Sequence, residues 1–460
     1  MQHTSIKTAD IRENFITFFR SKKHKFLNPS KVFNNDPTLF FVNAGMNQLK
    51  DVLLGTKDYD EKYAMLTNCQ TCIRAGGKHN DLDDVGKDTY HLTSFGMLGN
   101  WSLNQYWKYE TIHMAFEYLT EICHLDKNKM YATYFQGSHN PEIPEDTESR
   151  DIWKFFLPEE HIIKGNYKDN FWTMGDSGPC GACTEIHYDL ADGRFRPDLV
   201  NTGDESLIEI WNLVFMEYDM KTTILKSDDK ISPDTKIITL TKLDKRFVDT
   251  GMGLERISMV MQKKTSIYQI DIFQKLFLYA EILGNTKRYT DKYISTHQKC
   301  SDDLDVKIDT AYRIFVDHIR TCVIAVFDGV EFDCAKRGFI LRKIFRRLLI
   351  NYYIHLNNNN VEPITNHHIF GALITEVLNF HLFRLHDSKK IRDIFHQEEM
   401  LYIGKINQFK NDYNKKIKND AIKENVIKKY LEKSNEIKGR FGIDIDVIIN
   451  IDKINIDFKL

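Results

Sequence analysis

"RAGGKHNDLDDVGKDTYHLTSFGMLGNW", Arg74 to Trp101, sets an arginine and a glycine pair at one end of a polar stretch and an aromatic cluster at the other. The run before it, "AMLTNCQTCIR", reads as extended, and a second extended run begins near Tyr90 with "YHLTSFGML". Between them "GGKHNDLDDVGKD" is polar, with glycine near both ends, so the whole reads as a long-looped antiparallel hairpin. An arginine on one strand and a phenylalanine on the other can then face one ligand. Arginine makes bidentate contacts to phosphate, and a phenylalanine ring offers a stacking face to a base. A surface hairpin with incidental charges has the same pattern, so neighbouring motifs must decide between the two.

The chain around this hairpin has 460 residues, room for roughly two to four domains. Its net charge of −2 means that a polyanionic partner must be met by a local patch, not by global attraction. No apolar run approaches the roughly 18 residues of a membrane span. The start, "MQHTSIKTADIRENFITFF", lacks a signal-peptide pattern and carries acids early. The expectation is a cytoplasmic protein without membrane contact. The 8 cysteines are spread along the chain, which favours reduced thiols over a disulfide framework. Cys69-x-x-Cys72 and Cys180-x-x-Cys183 have the spacing of a four-cysteine zinc site. The segment around Cys69 reads as extended, however, and residues three apart on a strand point to opposite faces. The second pair sits in "GDSGPCGACTE", read as a glycine-rich loop able to bind a ligand through backbone.

"TADIRENFITFFR" has apolar residues at helical spacing, and "DPTLFFVNAGMNQLK" (Asp36 to Lys50) reads as a strand with a turn at Asn43–Gly45. "YETIHMAFEYLTEIC" and "DIWKFFL" read as helices; "FWTMG", "TEIHYDL" and "EIWNLVFMEYD" read as strands. Up to about residue 256 helices and strands alternate; beyond it the chain reads almost wholly helical, with "NNNN" (Asn357 to Asn360) as a connector and an ambiguous tail, "GIDIDVIINIDKINIDFKL". The class is α+β, divided into residues 1–256 and 257–460.

More motifs share the hairpin's character. "VDTGMGLERI" places Asp249 and two glycines, 251 and 253, ahead of a helix that carries Glu255 and Arg256. Glycine lets a ligand approach the backbone closely. "KDNFWTMGDSGPCGACTEIHYD" carries Trp172, Gly175, Gly178, Gly181 and Glu185, and "EIWNLVFMEYD" carries Ile210, Trp211 and Asn212.

Together with "VNAGMNQLK" and "MLGNWS", these segments closely resemble the alanyl-tRNA synthetase family, of eukaryotic type, and "YRIFVDHIRTCVIAVFDGV" and "RGFILRKIFRRLL" resemble that family's helical tRNA-recognition region. The resemblance runs from about residue 8 to about residue 450. It implies a class II synthetase fold: an antiparallel sheet flanked by helices, with signature motifs around Asp36–Lys50, in the Arg74/Phe95 hairpin and in the segment ending at Arg256, followed by an all-helical tRNA-recognition domain. The implied activity is alanine–tRNA ligase: alanine and ATP give alanyl-adenylate and pyrophosphate, and the alanyl group passes to the 3′ end of tRNA(Ala). Arg74 is implied to hold the α-phosphate and the alanine carboxylate, and Phe95 and Arg256 to sandwich the adenine. Leu92, Trp172, Ile210, Trp211, Asn212 and Gly253 are implied to line the ATP site, Asn212 and Asp249 to contact alanine, and Glu185 to be a Mg²⁺ ligand.

Departures from the family pattern centre on the hairpin. The family reads "HHTFFEMLGNWSFGDYFK" where this chain has "HLTSFGMLGNWSLNQYWK". Leu92 stands where a histidine contacts ATP, Ser94 replaces an aromatic and Gly96 an acid. They motivate an alternative, a synthetase-like tRNA-binding protein with weakened or lost adenylation. On the tRNA side Ile340, Leu341, Ile344, Phe345, Leu348 and Leu349 share one helical face, and Arg342, Lys343, Arg346 and Arg347 the opposite one. With Arg337 these cations are the implied phosphate contacts. Cys334 aligns with the asparagine, and Asn414 with the aspartate, that read the G3:U70 pair in the family. The chain stops after the helical region without an HxxxH-type motif. The expectation is therefore no editing or C-terminal dimerising domain, no zinc, and a monomer.

Overall fold

The computed structural model describes residues 6–34, 39–76, 80–139, 142–174, 177–191, 195–225, 235–293, 303–381, 388–419, 423–434, 445–450 and 452–454. Asp36 and Gly175, named above, lie outside the described residues. The chain forms two compact units, one of residues 1–72 and 95–270, the other of residues 73–94 and 271–460.

The first unit is built on a sheet. Its elements are α1 (Thr8–Ser21), β1 (Lys25–Phe26), α2 (Lys50–Leu53), β2 (Met65–Ile73), β3 (Ser94–Leu103), α3 (Lys108–Glu117), β4 (Met130–Phe135), β5 (Ser138–His139), β6 (Glu142–Ile143), α4 (Thr147–Trp153), β7 (Ile162–Gly165), α5 (Tyr167–Asn170), β8 (Phe171–Thr173), β9 (Gly178–Asp189), β10 (Leu207–Leu225), β11 (Thr235–Gly253) and α6 (Leu254–Met261). Among the described residues nine strands form one sheet in the order β1-β2-β3-β11-β10-β9-β4-β7, with β8 pairing with β9. The strands β3, β11, β10, β9 and β4 pair antiparallel, and the outer pairs β1–β2 and β4–β7 are parallel. The antiparallel expectation thus describes the centre of a mixed sheet. Helix α1 buries Ile11, Phe15 and Phe19, the residues that its apolar spacing selects.

Two local expectations are corrected. The stretch before Lys50 is not a strand where described. Asn47 Oδ1 accepts the backbone N–H groups of Asn43 (2.9 Å) and Ala44 (3.0 Å), curling the chain into a 3₁₀ turn over Gly45–Leu49. The glycine-rich "GPCGAC" is not a loop but the start of β9, fully buried. A Cβ on Gly181 would lie 1.9 Å from the Phe215 carbonyl oxygen, so glycine serves strand packing there.

The second unit is helical: α7 (Asp271–Leu283), α8 (Leu304–Phe327), α9 (Lys336–Asn351), α10 (His367–Phe380), α11 (Ser388–Asn419), α12 (Lys423–Glu432) and α13 (Ile445–Asn450). The last gives the ambiguous tail a helical turn. Helix α8 is buried along nearly its whole length, including Arg313, Asp317, His318 and Arg320. These polar groups hold residues 73–94. Arg313 Nε donates to the Gly86 carbonyl (2.8 Å), Arg320 Nη1 to the Ser94 carbonyl (2.9 Å), and Asp317 Oδ1 accepts the Thr93 N–H (2.9 Å). Gly86 adopts φ +89°, and a Cβ there would meet Ile314 Cγ1 at 2.7 Å. A side chain at 86 would therefore face both backbone strain and a clash with α8.

Gly55 has φ +69° with nothing near its missing Cβ. Gly55→Ala should cost only the backbone term, roughly 1–2 kcal/mol. Gly86→Ala should cost that plus roughly 1–3 kcal/mol of overpacking. Urea unfolding of both variants checks this; equal losses would mean that the 73–94 segment does not press on α8.

Candidate functional site

The sheet of the first unit brings most of the singled-out residues together. Asp249 on β11 pairs with Val214 on β10 and with Trp101 on β3, while Asn212 on β10 pairs with Gly251 on β11 and Glu185 on β9. Directly paired residues share a face, and alternate residues along a strand do too. One face therefore carries Asp249, Gly251, Gly253, Asn212, Glu185, Met97 and Trp101, with Phe95 next along β3. Trp172 pairs with Gly181 on the edge of this face and packs, half-buried, against a cluster that includes Trp101, Cys183 and Val214.

Asp249 is the electrostatic centre. It is 6% exposed, and the Trp101 indole Nε1–H donates to its Oδ1 at 2.6 Å. The indole is pinned between glycines: a Cβ on Gly99 would sit 2.4 Å from the ring, and one on Gly45 2.8 Å from it. These contacts account for the glycines of "VNAGMN" and "MLGNW". Burial pushes the Asp249 carboxyl up to about 7, and the Trp101 hydrogen bond pulls the other way. Beside it the Asn212 side-chain oxygen is buried without a hydrogen-bond partner, a buried acceptor of the kind that normally finds a donor. A small ligand bearing an ammonium group would meet both demands.

Glu185, 7% exposed, accepts from Asn201 Nδ2 (2.9 Å) and lies 3.2 Å from His187 Nε2 through the same oxygen, Oε2. Burial raises its pKa, and the charge of Glu209 adds to that. Glu209 in turn pairs with Arg256: Nη1 donates to its carboxylate at 3.1 Å and to its backbone carbonyl at 3.0 Å. Gly253 is the residue from which α6 starts, and Glu255 caps the neighbouring strand by accepting the Gly96 N–H at 3.0 Å. At Gly96, an acid in the family pattern, a Cβ would lie 3.0 Å from Leu254 Cδ2.

Other candidates are placed differently. The Trp211 ring faces the opposite side of the sheet, fully buried against Phe15 (5.7 Å), Tyr118 (5.9 Å) and Phe19 (6.3 Å), so it is not brought to the Asp249 face. Ile210, 1% exposed, sits at a register shift between Glu209 and Trp211. Arg74 and Leu92 belong to the second unit. Arg74 N–H donates to the Thr93 carbonyl (2.9 Å), Leu92 is buried, and His91, beside Leu92, pairs with Asp88.

On α9 the apolar face is buried as its spacing implies, but the opposite face is not a free cationic surface. Arg342 and Arg346 both pair with Glu398, at 2.9 and 3.0 Å, and Arg346 also lies over the Tyr402 ring at 4.9 Å. Arg347 Nη1 is 2.9 Å from His318 Nε2. Arg337 and Lys343 are half-buried on the same helix; Cys334 and Asn414 are exposed. Among the described residues no group of three or more His, Cys, Asp or Glu side chains could hold a metal, the two Cys pairs included.

Sequence reasoning quoted Trp101 without assigning it, and it missed Glu209 and Asn201. A usable signal was present for Trp101: a buried indole needs an acceptor for its N–H, and Asp249 is the nearby acid. Glu209 depends on strand register, and Asn201 reaches Glu185 from the turn between β9 and β10; spacing alone reveals neither.

The chain matches the family described as tRNA synthetases class II (A) over residues 10–457. It is 45% identical over 343 residues to the cytoplasmic alanine–tRNA ligase of Dictyostelium discoideum, covering 73% of this chain and 34% of that one. It is 44% identical over 344 residues to the mitochondrial alanine–tRNA ligase of Saccharomyces cerevisiae, covering 74% and 33%. With the cytoplasmic alanine–tRNA ligase of Drosophila melanogaster it shares 40% identity over 421 residues, 90% of this chain and 41% of that one. The chain thus spans about a third of the length of the first two of these relatives.

Asp249 gives a stability signature independent of activity. Its folded pKa, about 7, lies above the ordinary 3.8. The folded state therefore binds the proton more tightly than the unfolded chain. The stability so gained is complete below about pH 4 and is lost as pH rises through about 7. Asp249→Asn removes the charge at constant volume, so its melting temperature should exceed the parent's at pH 8 and the gap should close toward pH 4. A constant gap would mean that Asp249 is not buried as a charge.

Proposed function

Because the chain belongs to the class II (A) tRNA synthetase family, we propose that it is an alanine–tRNA ligase, activating alanine with ATP and transferring it to tRNA(Ala). The observation that carries this reading is the Asp249 carboxylate. It is buried, held by one indole N–H, and faces glycines and the unsatisfied Asn212 oxygen. That is a receptor for a compact ammonium, and the relatives bear the name alanine–tRNA ligase.

In this reading Asp249 pairs with the alanine ammonium and Asn212 Oδ1 accepts from it. The alanine carboxylate attacks the α-phosphorus of ATP in line, and pyrophosphate leaves. Then a hydroxyl of the terminal tRNA adenosine attacks the adenylate carbonyl, and AMP leaves. The first step needs positioning and charge neutralisation more than a protein base. Arg74 supplies charge at the α-phosphate. Phe95 and Arg256 stack on the adenine, with Arg256 steadied by Glu209. The Trp172 side chain and the backbone of Ile210, Trp211 and Gly253 border the nucleotide, and Leu92 adds an apolar contact. Mg²⁺ would neutralise the phosphates; the buried Glu185 carboxylate, with Glu209 near it, suits an ion that takes most of its ligands from phosphate and water. Residues 1–256 would carry this chemistry and residues 257–460 would hold tRNA, through Arg337, Lys343 and the exposed Cys334 and Asn414 in place of the family's pair-reading residues. No helix among the described residues is long and apolar enough to cross a membrane, and the relatives named above carry cytoplasmic and mitochondrial names. We place this chain in the cytoplasm, which cell fractionation would test.

Alanine-dependent exchange of pyrophosphate into ATP is the direct assay. Asp249→Asn should lower it by roughly 100- to 5,000-fold, the scale of a lost buried ion pair at about 3–5 kcal/mol. Exchange by the parent that does not depend on alanine, or exchange by the variant at the parent's rate, would refute the assignment.

A further inference from the structure

Within the second unit a line of hydrogen bonds runs from α9 through α8 to the backbone beside Arg74. Arg347 Nη1 lies 2.9 Å from His318 Nε2, and His318 Nδ1 lies 2.7 Å from Asp317 Oδ2. A guanidinium can only donate, so Nε2 must be the accepting nitrogen and Nδ1 must carry the proton that it donates to Asp317. Burial, reinforced by Arg347, holds the imidazole in that neutral form, pushed down to about 4. Asp317 Oδ1 accepts the Thr93 N–H at 2.9 Å, and the Thr93 carbonyl accepts the Arg74 N–H at 2.9 Å. Meanwhile Arg347 Nη2 donates to the Val85 carbonyl at 3.3 Å.

Asp317 and His318 are 1% and 0% exposed. Burying a charged pair with an imidazole between its members is a poor way to gain stability, since apolar side chains of similar volume commonly do better. What such a line secures is geometry. Each link has a single direction, and both ends reach the segment that bears Arg74, at Val85 and at Thr93. The fork of Arg347 is engaged on this line. The residue is half-buried, and both terminal nitrogens of its guanidinium already have partners, His318 and the Val85 carbonyl.

We propose that Arg347, His318 and Asp317 form a positioning relay that fixes the Arg74-bearing segment for the nucleotide phosphates, so that Arg347 acts on adenylation and not on tRNA phosphates. The proposal rests on the reading of Arg74 as the α-phosphate residue.

Arg347→Met keeps the stem and removes the fork. Its KM for ATP in alanine-dependent pyrophosphate exchange should rise, or its kcat fall, by roughly tenfold to a hundredfold, the scale of a misplaced catalytic group. The KM for tRNA in charging assays should stay within about twofold of the parent. Arg347→Lys, which retains one donor for His318, should recover part of the loss. Should Arg347→Met not fold, Asp317→Asn keeps the oxygen facing Thr93, breaks the link to His318, and is expected to show the same split. A raised KM for tRNA with normal exchange would overturn the proposal in favour of a phosphate contact, and so would unchanged kinetics. Amide hydrogen exchange at Thr93 and Arg74, compared with that in α10, reads the relay without any activity. Faster exchange confined to those amides is expected, and unchanged exchange overturns the relay. A parent that lacks alanine-dependent exchange would instead count against the proposed function, and the amide data would still decide whether the relay exists.

Discussion

The hydrogen bond from the Trp101 indole to Asp249 is the constraint around which the sheet face is organised. Several unusual features of the chain follow from it. The ring needs a slot without side chains, which Gly45 and Gly99 provide from different segments. The carboxylate needs a neighbour that can donate without neutralising it, and the indole N–H does so. It also needs water kept away, which the cluster of Met46, Val214, Met216 and their neighbours accomplishes. The result is an acid held in one orientation at an energetic cost that a cationic ligand can offset.

The second unit applies the same principle to backbone. Helix α8 carries arginines at 313 and 320 and an aspartate at 317 on buried positions that bond main-chain groups of residues 86, 93 and 94, while the buried His318 links Asp317 to Arg347. A loop rich in aspartate and glycine has little apolar surface with which to hold itself in place. Charged hydrogen bonds to its carbonyls and N–H groups supply direction as well as attachment. The loop in the opening quotation is therefore defined by a helix more than two hundred residues later in the sequence.

This separation marks where the sequence was legible and where it was not. Periodicity gave α1, α9 and α10, each of which buries one face at helical spacing, and α8, which is buried nearly all round. Alternation and glycine punctuation gave β2, β3, β8, β10 and the second half of β9, while β11 was not read as a strand. The motifs also singled out Asp249 and Asn212, which strand register places on one face, and Arg256, which pairs with Glu209. Outcomes that depend on register were hidden. The shift between Glu209 and Trp211 accompanies a Trp211 ring turned toward α1 while Asn212 stays on the site face. The curl of residues 43–49 depends on one Asn47 side chain capturing two N–H groups, which a strand-like composition masks. The cations of α9 were assigned by face alone, and the face was right. Their partners, Glu398, His318 and Val85, come from elsewhere in the chain, so spacing could not show that these side chains were already engaged.

In the proposed function Asp249 is a buried carboxyl, pushed up to about 7, that receives an ammonium group. Calorimetric titration with alanine at pH 7, in two buffers of different ionisation enthalpy, tests it most directly. Pairing with the ammonium should pull the carboxyl well below 7, so binding should release a fraction of a proton per site, a release that fades by pH 9 and is absent in Asp249→Asn. Alanine binding with heats that do not depend on the buffer, in parent and variant alike, would contradict the account.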